Sequence, residues 1–138
     1  MSRENVELIR GMMSGFEGGD PEAIREMLPA AISEICDPEI EFVETPERVD
    51  ARNFYGHEGV LEAFNRWLDQ WEEYDGEAES FEDHGDDVFV VAREQARGHS
   101  GVTVGSRLYL IFTLRNGKIT RYREFYDEDA ARTALGGG

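Results

Sequence analysis

Apolar residues recur every three or four positions in three segments of the first half of the chain. Such spacing places them on one face of an α-helix, so we predict three amphipathic helices. Gly18 and Gly19 end the first helix. Asp20 and Pro21 begin the second as its N-cap and first helical residue, and Pro29 predicts a bend or break within it. The apolar positions of the three segments are Val6, Ile9, Met12, Met13 and Phe16; Ile24, Met27, Leu28, Ile32 and Ile35; and Val60, Leu61, Phe64, Trp67, Leu68, Trp71 and Tyr74.

Other segments alternate between polar and apolar residues with a period of two, which predicts β-strands. One such strand, 39–45, lies between the second and third helices and ends before Pro46. The remaining strands follow one another after Gly76, and they are predicted over 77–82, 88–97, 102–114 and 119–126.

The end of the chain combines a hairpin turn with a short helix. Asn116 and Gly117 both tolerate positive φ and predict a two-residue turn between the last two strands. Residues 128–135 predict a closing helix, and the three glycines 136–138 predict a flexible tail. Helices followed by a run of strands indicate an α+β fold rather than alternating β-α-β units, and we predict one domain over 1–135.

The turn also predicts which side chains share a face of the last hairpin. Uniform antiparallel pairing sets Thr113 opposite Thr120 and Tyr109 opposite Glu124. A tyrosine-rich face then holds Tyr109, Ile111, Thr113, Thr120, Tyr122, Glu124 and Tyr126. A leucine-rich face holds Leu108, Leu110, Phe112, Leu114, Ile119, Arg121, Arg123 and Phe125.

Composition narrows the classes of partner. The chain has 138 residues, of which 40% are hydrophobic, and this suits one globular domain. Its net charge of −16 disfavours nucleic acids and anionic membrane surfaces. We see no signal peptide and no apolar stretch long enough to span a bilayer. The single cysteine, Cys36, excludes an internal disulfide, so we expect a cytoplasmic protein.

The order of elements, together with the segment 116–127, Asn-Gly-Lys-Ile-Thr-Arg-Tyr-Arg-Glu-Phe-Tyr-Asp, resembles the nuclear transport factor 2-like superfamily. Within it the chain is most similar to the SnoaL-like proteins, a group that includes polyketide cyclases. Residues 54–60 and 129–135 add to the resemblance. It implies a cystatin-like fold, in which a curved antiparallel sheet packs on three N-terminal helices and encloses a pocket. Because this fold hosts isomerases, cyclases, dehydratases, epoxide hydrolases and binding domains, the activity stays open.

The resemblance also implies positions for catalytic groups. In limonene-epoxide-hydrolase-like relatives an aspartate on the last strand activates water, and Glu124 occupies that position. An Arg-x-Asp pair on an earlier strand corresponds to Arg93 and Gln95, so an amide replaces the second acid and cannot deliver a proton. The group that holds the water corresponds to Glu44.

We therefore expect Glu124, Arg93 and Glu44 to be catalytic groups in one pocket. A carboxylate among aromatic side chains loses hydration, which favours its protonated form and suits proton transfer. The expected ligand contacts are Gln95, Tyr109, Tyr122, Trp67, Trp71, Met13 and Phe16. The structural alternative is that both glutamates are solvated, that Arg93 is a cross-strand ion-pair partner and that the tryptophans belong to the core. The scattered histidines give no metal-ligand spacing, and we expect neither a metal nor a cofactor.

Either face of the last hairpin could pack against the helices. Hydrophobicity favours the leucine-rich face as the buried one, whereas the resemblance favours the tyrosine-rich face as the pocket lining. Both hold if the leucine-rich face is buried between two copies of the chain. We expect the tyrosine-rich face to line the pocket and the protein to be a homodimer through the outer face of the sheet.

Three functions fit these residues. The first is a cofactor-independent hydrolase, isomerase or cyclase that uses carboxylate acid–base chemistry on a small apolar molecule. The second is a non-catalytic module that binds or senses a small hydrophobic ligand, and the replacement of the second acid by Gln95 favours it. The third is a homodimeric interaction domain whose interior is simply filled with side chains.

Overall fold

The computed structural model describes residues 2–18, 20–45 and 51–136. Within these residues it contains four helices and six strands. The helices are α1 (Ser2–Ser14), α2 (Pro21–Ile35), α3 (Gly56–Leu68) and α4 (Glu128–Gly136). The strands are β1 (Cys36–Val43), β2 (Asn53–Tyr55), β3 (Trp71–His84), β4 (Asp87–Gly98), β5 (Thr103–Arg115) and β6 (Lys118–Phe125).

The strands form one sheet in the order β2-β1-β6-β5-β4-β3. The strands from β3 to β6 form the expected antiparallel meander, but β1 runs parallel to β6, so the sheet is mixed rather than wholly antiparallel. Helices α1, α2 and α3 pack on the concave side and bury the main core. The fourth helix, α4, packs on the outer side, where its Ala131 joins a smaller cluster with Phe89 and Ile111.

Two helices differ from their predicted form. Helix α2 continues through Pro29, because Ile24, Leu28 and Ile32 are buried on both sides of it and hold the helix against the core. Helix α3 ends at Leu68 although the helical spacing of apolar residues continues to Tyr74. From Trp71 onward the backbone pairs with β4 instead, so tertiary pairing overrides the local pattern.

Strand β2 lies in a segment for which we predicted only a polar loop, and it pairs with β1. Strand β1 ends at Val43, two residues before the predicted end, and Pro46 lies outside the described residues. At the other end of the chain Gly136 belongs to α4 rather than to a tail, and 137–138 are also outside the described residues.

The hairpin between β5 and β6 contains an irregularity that uniform pairing does not anticipate. Its turn is as predicted, since Asn116 and Gly117 have φ of 53° and 76°. Leu114 pairs with Ile119, but the next residue of β5, Thr113, pairs with Arg121. Thr120 is therefore an extra residue, a β-bulge, and its hydroxyl donates a hydrogen bond to the Thr113 carbonyl at 3.2 Å.

The bulge changes which residues share a face. Beyond it Phe112 pairs with Tyr122 and Leu110 with Glu124. The concave face therefore combines the leucine-rich side of β5 with the tyrosine- and glutamate-bearing side of β6. Hydrophobicity favoured the leucine-rich face as the one packed on the helices, and this is right for β5. The resemblance favoured the tyrosine-rich face as the pocket lining, and this is right for β6. Uniform pairing was wrong because a bulge moves the side-chain alternation by one residue.

The outer face combines the other two halves. It carries Tyr109 and Ile111 from β5 beside Arg123 and Phe125 from β6. Since Leu108 and its neighbours on the leucine-rich side lie in the core of the chain itself, they give no reason for a second copy to cover them. Homodimerisation through the outer face stays a prediction.

In the part of the chain that is described, no helix is long and apolar enough to cross a membrane.

The face assignment predicts a stability difference along β5. Leu110 is 3% exposed, so Leu110→Ala should lower the free energy of unfolding by about 2–5 kcal/mol through lost burial and a residual cavity. Val104 is 40% exposed on the same strand, and Val104→Ala should change that free energy by less than about 0.5 kcal/mol. Urea unfolding of both variants measures the difference. Equal effects would contradict the assignment of Leu110 to the interior.

Candidate active site

The concave face of the sheet and helices α1 to α3 enclose a cavity of about 90 Å³. Most of its wall is apolar. Three methionines, Met12, Met13 and Met27, contribute to the wall from α1 and α2. Because methionine side chains are flexible and polarisable, this part of the wall can adapt to ligands of different shape. The aromatic lining residues are Phe16, Phe64, Trp67, Tyr74, Phe112 and Tyr122.

Two carboxylates belong to this apolar wall. Glu94 of β4 is 4% exposed and Glu124 of β6 is 7% exposed. Glu94 occupies an inward position of a strand whose other inward residues, Val88, Val90, Ala92 and Ala96, are all apolar and buried. The Tyr74 hydroxyl from β3 donates a hydrogen bond to Glu94 Oε2 at 3.0 Å. The cavity therefore holds a buried phenol–carboxylate pair and a second buried carboxylate.

The phenol of Tyr74 keeps its proton. Burial raises the pKa of Tyr74 above its ordinary value, and the charge of Glu94 and its hydrogen bond raise this pKa further. Tyr122 and Glu124 raise the pKa of Tyr74 as well. All three side chains are thus close enough to the phenol to act on it electrostatically. In neutral solution Tyr74 is a hydrogen-bond donor and not a phenolate.

Stacked aromatic rings position Tyr122, and with it the inner face of β6. The ring of Tyr122 lies 4.6 Å from that of Phe42 on β1 and 4.7 Å from that of Phe112 on β5, with interplanar angles of 20° and 12°. Stacking on both sides fixes the orientation of this strand relative to its neighbours. Glu124, two residues further along β6, therefore also faces the cavity.

Six residues proposed from the sequence border this cavity. They are Glu124, Arg93, Tyr122, Trp67, Met13 and Phe16. Their roles as catalytic group or ligand contacts remain predictions.

Arg93, Gln95 and Tyr109 do not bring their side chains into the cavity as expected. Arg93 borders it, but its side chain is 52% exposed and its Nε lies 3.9 Å from Glu79 Oε2. The reason is the strict alternation of β4, because an inward Glu94 requires both neighbours to point outward. Tyr109 lies on the outer face, packed against Phe89. This agrees with the structural alternative that Arg93 is a cross-strand ion-pair partner.

Glu44 and Trp71 border a second, more open groove of about 600 Å³. The backbone N–H of Arg52 donates a hydrogen bond to Glu44 Oε1 at 3.3 Å. Trp67 and Glu94 border both this groove and the inner cavity. The expected set of Glu44, Arg93 and Glu124 therefore does not share one cavity. The carboxylate that accompanies Glu124 there is Glu94.

Sequence reasoning missed Glu94 and Tyr74. The signal for Glu94 was present, because it is the one acidic residue at the inward positions of an otherwise apolar alternating strand. The Arg-x-Asp pair of the relatives matches Arg93 and Gln95, which are the two neighbours of Glu94 and point outward. Tyr74 was assigned to the third helix, so its place on β3 opposite Ala96 could not be inferred.

Two other chemistries find no support in the described residues. Among them, no group of three or more histidine, cysteine, aspartate or glutamate side chains could hold a metal ion. Cys36 borders the cavity, but burial raises the pKa of its thiol to about 11, with a smaller opposing effect of Lys118. A thiol that keeps its proton at neutral pH is a poor nucleophile.

Comparison with known proteins identifies the family. The family model for the SnoaL-like domain matches residues 9–122. A SnoaL-like protein from Jannaschia sp. CCS1, named as a polyketide cyclase, has a similar structure, with a TM-score of 0.76 and 19% identity. The similarity covers 99% of this chain and 94% of that one. No curated protein matches the sequence significantly.

Two further structures have the same fold. Bal32a, from a soil-derived mobile gene cassette, has a TM-score of 0.75 at 18% identity, and the similarity covers 97% of each chain. TerC, co-crystallised with polyporic acid, has a TM-score of 0.70 at 23% identity, with 96% of this chain and 98% of that chain covered. At such identities these similarities establish the fold alone.

The raised pKa of Tyr74 predicts a loss of stability in alkali. Below pH 10 the phenol is protonated in both states, but above it the unfolded chain releases a proton that the folded chain retains, so the free energy of unfolding falls. Tyr74→Phe should make this fall shallower by up to about 1.4 kcal/mol per pH unit. Urea unfolding from pH 9 to 11.5 measures the slope. Tyr55, which is 64% exposed, provides the control, and Tyr55→Phe should leave the slope unchanged.

Proposed function

The chain belongs to the SnoaL-like domain family, and from the geometry of its cavity we propose that it is a cofactor-independent enzyme that transfers protons on a small, largely apolar substrate. The substrate carries one activating oxygen, as a carbonyl or an epoxide. The fold of this family supports a small-molecule binding or cyclase-type protein, and the reaction class is our inference from the side chains.

One observation carries the proposal: two carboxylates and a phenol are buried in the wall of an apolar cavity. Removing a carboxylate from water costs several kcal/mol unless other groups compensate, and an apolar side chain of similar volume often stabilises a fold at least as well. A contribution to stability therefore does not explain why Glu94 and Glu124 are buried in the cavity wall. Groups of this kind in a cleft are typical of sites for proton transfer.

The two carboxylates have separate roles in this proposal. Glu124 is the general base, which removes a proton from a carbon next to a carbonyl or from an attacking water. Glu94, which accepts the hydrogen bond of Tyr74, is the second group, because its carboxylate can take up and later release a proton on another side of the substrate. Each such proton transfer contributes about 10²–10⁴-fold in rate.

The cavity favours a small and uncharged substrate. Its wall is mostly aliphatic and aromatic, and its volume of about 90 Å³ suits a molecule of few atoms before the methionines adjust. Buried carboxylates disfavour an anionic substrate in the same space. The name of the Jannaschia protein, a polyketide cyclase, is consistent with carbonyl chemistry in this fold.

The non-catalytic alternative has lost the observation that favoured it. It rested on the replacement of a second acid by Gln95, which the structure places on the outer face of β4. Glu94, one residue earlier, supplies a carboxylate to the cavity instead. The third interpretation, a filled interior, is disfavoured by the cavity itself.

Replacing Glu124 tests the proposal. Cyclopentanone in D₂O reports proton removal next to a carbonyl, by loss of its α-proton signal in NMR, and cyclopentene oxide reports attack by water. We expect the wild-type protein to accelerate at least one of these reactions. Glu124→Gln should slow that reaction by about 10²–10⁴-fold while the fold is kept, because an amide of equal size cannot accept the proton.

Glu77→Gln is the matched control, since this glutamate is exposed on β3, and it should retain the wild-type rate. A Glu124→Gln protein with the wild-type rate would remove Glu124 from the mechanism. If neither probe reacts but both raise the melting temperature, the protein binds small molecules without converting them, and the non-catalytic alternative is correct.

A further inference from the structure

Gly76 lies on β3 two residues after Tyr74, and both residues face the cavity. A Cβ atom at Gly76 would lie 2.7 Å from Tyr74 Oη, 3.0 Å from Cε2 and 3.2 Å from Cζ of the same ring. These are the three nearest atoms, so the space that a side chain would fill is occupied by the Tyr74 ring. The phenol lies directly over the glycine backbone.

Conformational freedom does not explain this glycine. The backbone of Gly76 does not have a positive φ. It pairs with Glu94 in the uninterrupted run of pairs from Glu73 to Ala78, and the irregularities of the β3–β4 ladder lie outside this run. Glycine within a strand weakens it and commonly marks a place where another group approaches the backbone closely. At Gly76 that group is the phenol ring of Tyr74.

Neither the ring nor the backbone is free to move apart. Tyr74 is 5% exposed, and its ring packs edge-on against Trp67 with 4.4 Å between the ring centroids. The backbone N–H of Gly76 donates a hydrogen bond to the Phe16 carbonyl at 3.2 Å, which ties β3 to the end of α1. A side chain at Gly76 would therefore have to displace the ring from its present position.

We propose that Gly76 is a positioning residue that holds the Tyr74 hydroxyl against Glu94. The absence of a Cβ at Gly76 leaves room for the hydroxyl end of the ring, and the ring also packs against Trp67. The hydroxyl then meets its acceptor, Glu94 Oε2, at 3.0 Å. The inference rests on the proposed function for its catalytic meaning. The position of the Tyr74 hydroxyl can be tested without measuring turnover.

Gly76→Ala tests the claim through a spectroscopic signature of Tyr74. With tyrosine labelled by ¹³C at Cζ, NMR follows the ionisation of each phenol between pH 7 and 11, and Tyr74→Phe identifies the Tyr74 signal. In the wild-type protein this signal should not shift over the range. In Gly76→Ala the displaced phenol should begin to ionise within it, because the displacement reduces the burial that contributes most to its raised pKa and also breaks its contact with Glu94.

Gly105→Ala is the matched control. Gly105 is also a strand glycine without positive φ, and it pairs with Gln95, the residue after Glu94. A Cβ there would meet nothing closer than the Glu94 carbonyl at 3.8 Å. This variant should leave the Tyr74 signal as in the wild-type protein. A Tyr74 signal that stays unshifted in Gly76→Ala as well would overturn the inference.

A double-variant comparison covers the case in which Gly76→Ala folds poorly. The substitution should lower the urea midpoint in the presence of Tyr74 and leave it unchanged in a Tyr74→Ala background, where the ring is gone. Rescue of folding by Tyr74→Ala supports the inference. An equal loss in both backgrounds would show that Gly76 serves β3 itself and not the phenol. If the NMR result holds while cyclopentanone and cyclopentene oxide remain unreacted, the positioning role stands and the proposed function fails.

Discussion

Backbone pairing between β5 and β6 assigns every side chain of both strands to one of two faces, and the interior depends on this assignment. The extra residue Thr120 shifts the alternation of β6 by one position relative to uniform pairing. As a result Leu110 and Glu124 are opposite each other on the concave side. Because of this bulge, the aliphatic side chains of β5 and the carboxylate of Glu124 face the same cavity. The arginines of β6 face the outer side for the same reason.

The bulge also separates charge. Arg123 and Arg121 of β6 lie on the outer side with acidic neighbours, Asp87 at 4.0 Å and Glu41 at 3.3 Å. Burial lowers the pKa of Arg123, and the neighbouring Arg121 lowers it further. The inner face of the same strand presents Tyr122 and Glu124 instead. Arginines and acids thus pair on the convex surface, while the cavity wall carries carboxylates and a phenol.

Rings and backbone, rather than ion pairs, hold the buried carboxylates and phenols of the cavity in place. Tyr74 packs against the Gly76 backbone and Trp67, and its hydroxyl meets Glu94. Tyr122 is stacked between two phenylalanines. Aromatic rings have few rotatable bonds, so they hold polar atoms in place at a small cost in conformational entropy. The flexible methionines of α1 and α2 are on the opposite wall.

The sequence by itself determined the α+β class, most of the helices and strands and the Asn116–Gly117 turn. These depend on local periodicity and on the backbone preferences of two residues. Only the tertiary structure decided the register of β6, the end of α3 before Tyr74 and the choice of Glu94 over Arg93 as the inward residue of β4. Those outcomes depend on hydrogen bonding between strands distant in sequence, and a period of two does not reveal where an extra residue interrupts it.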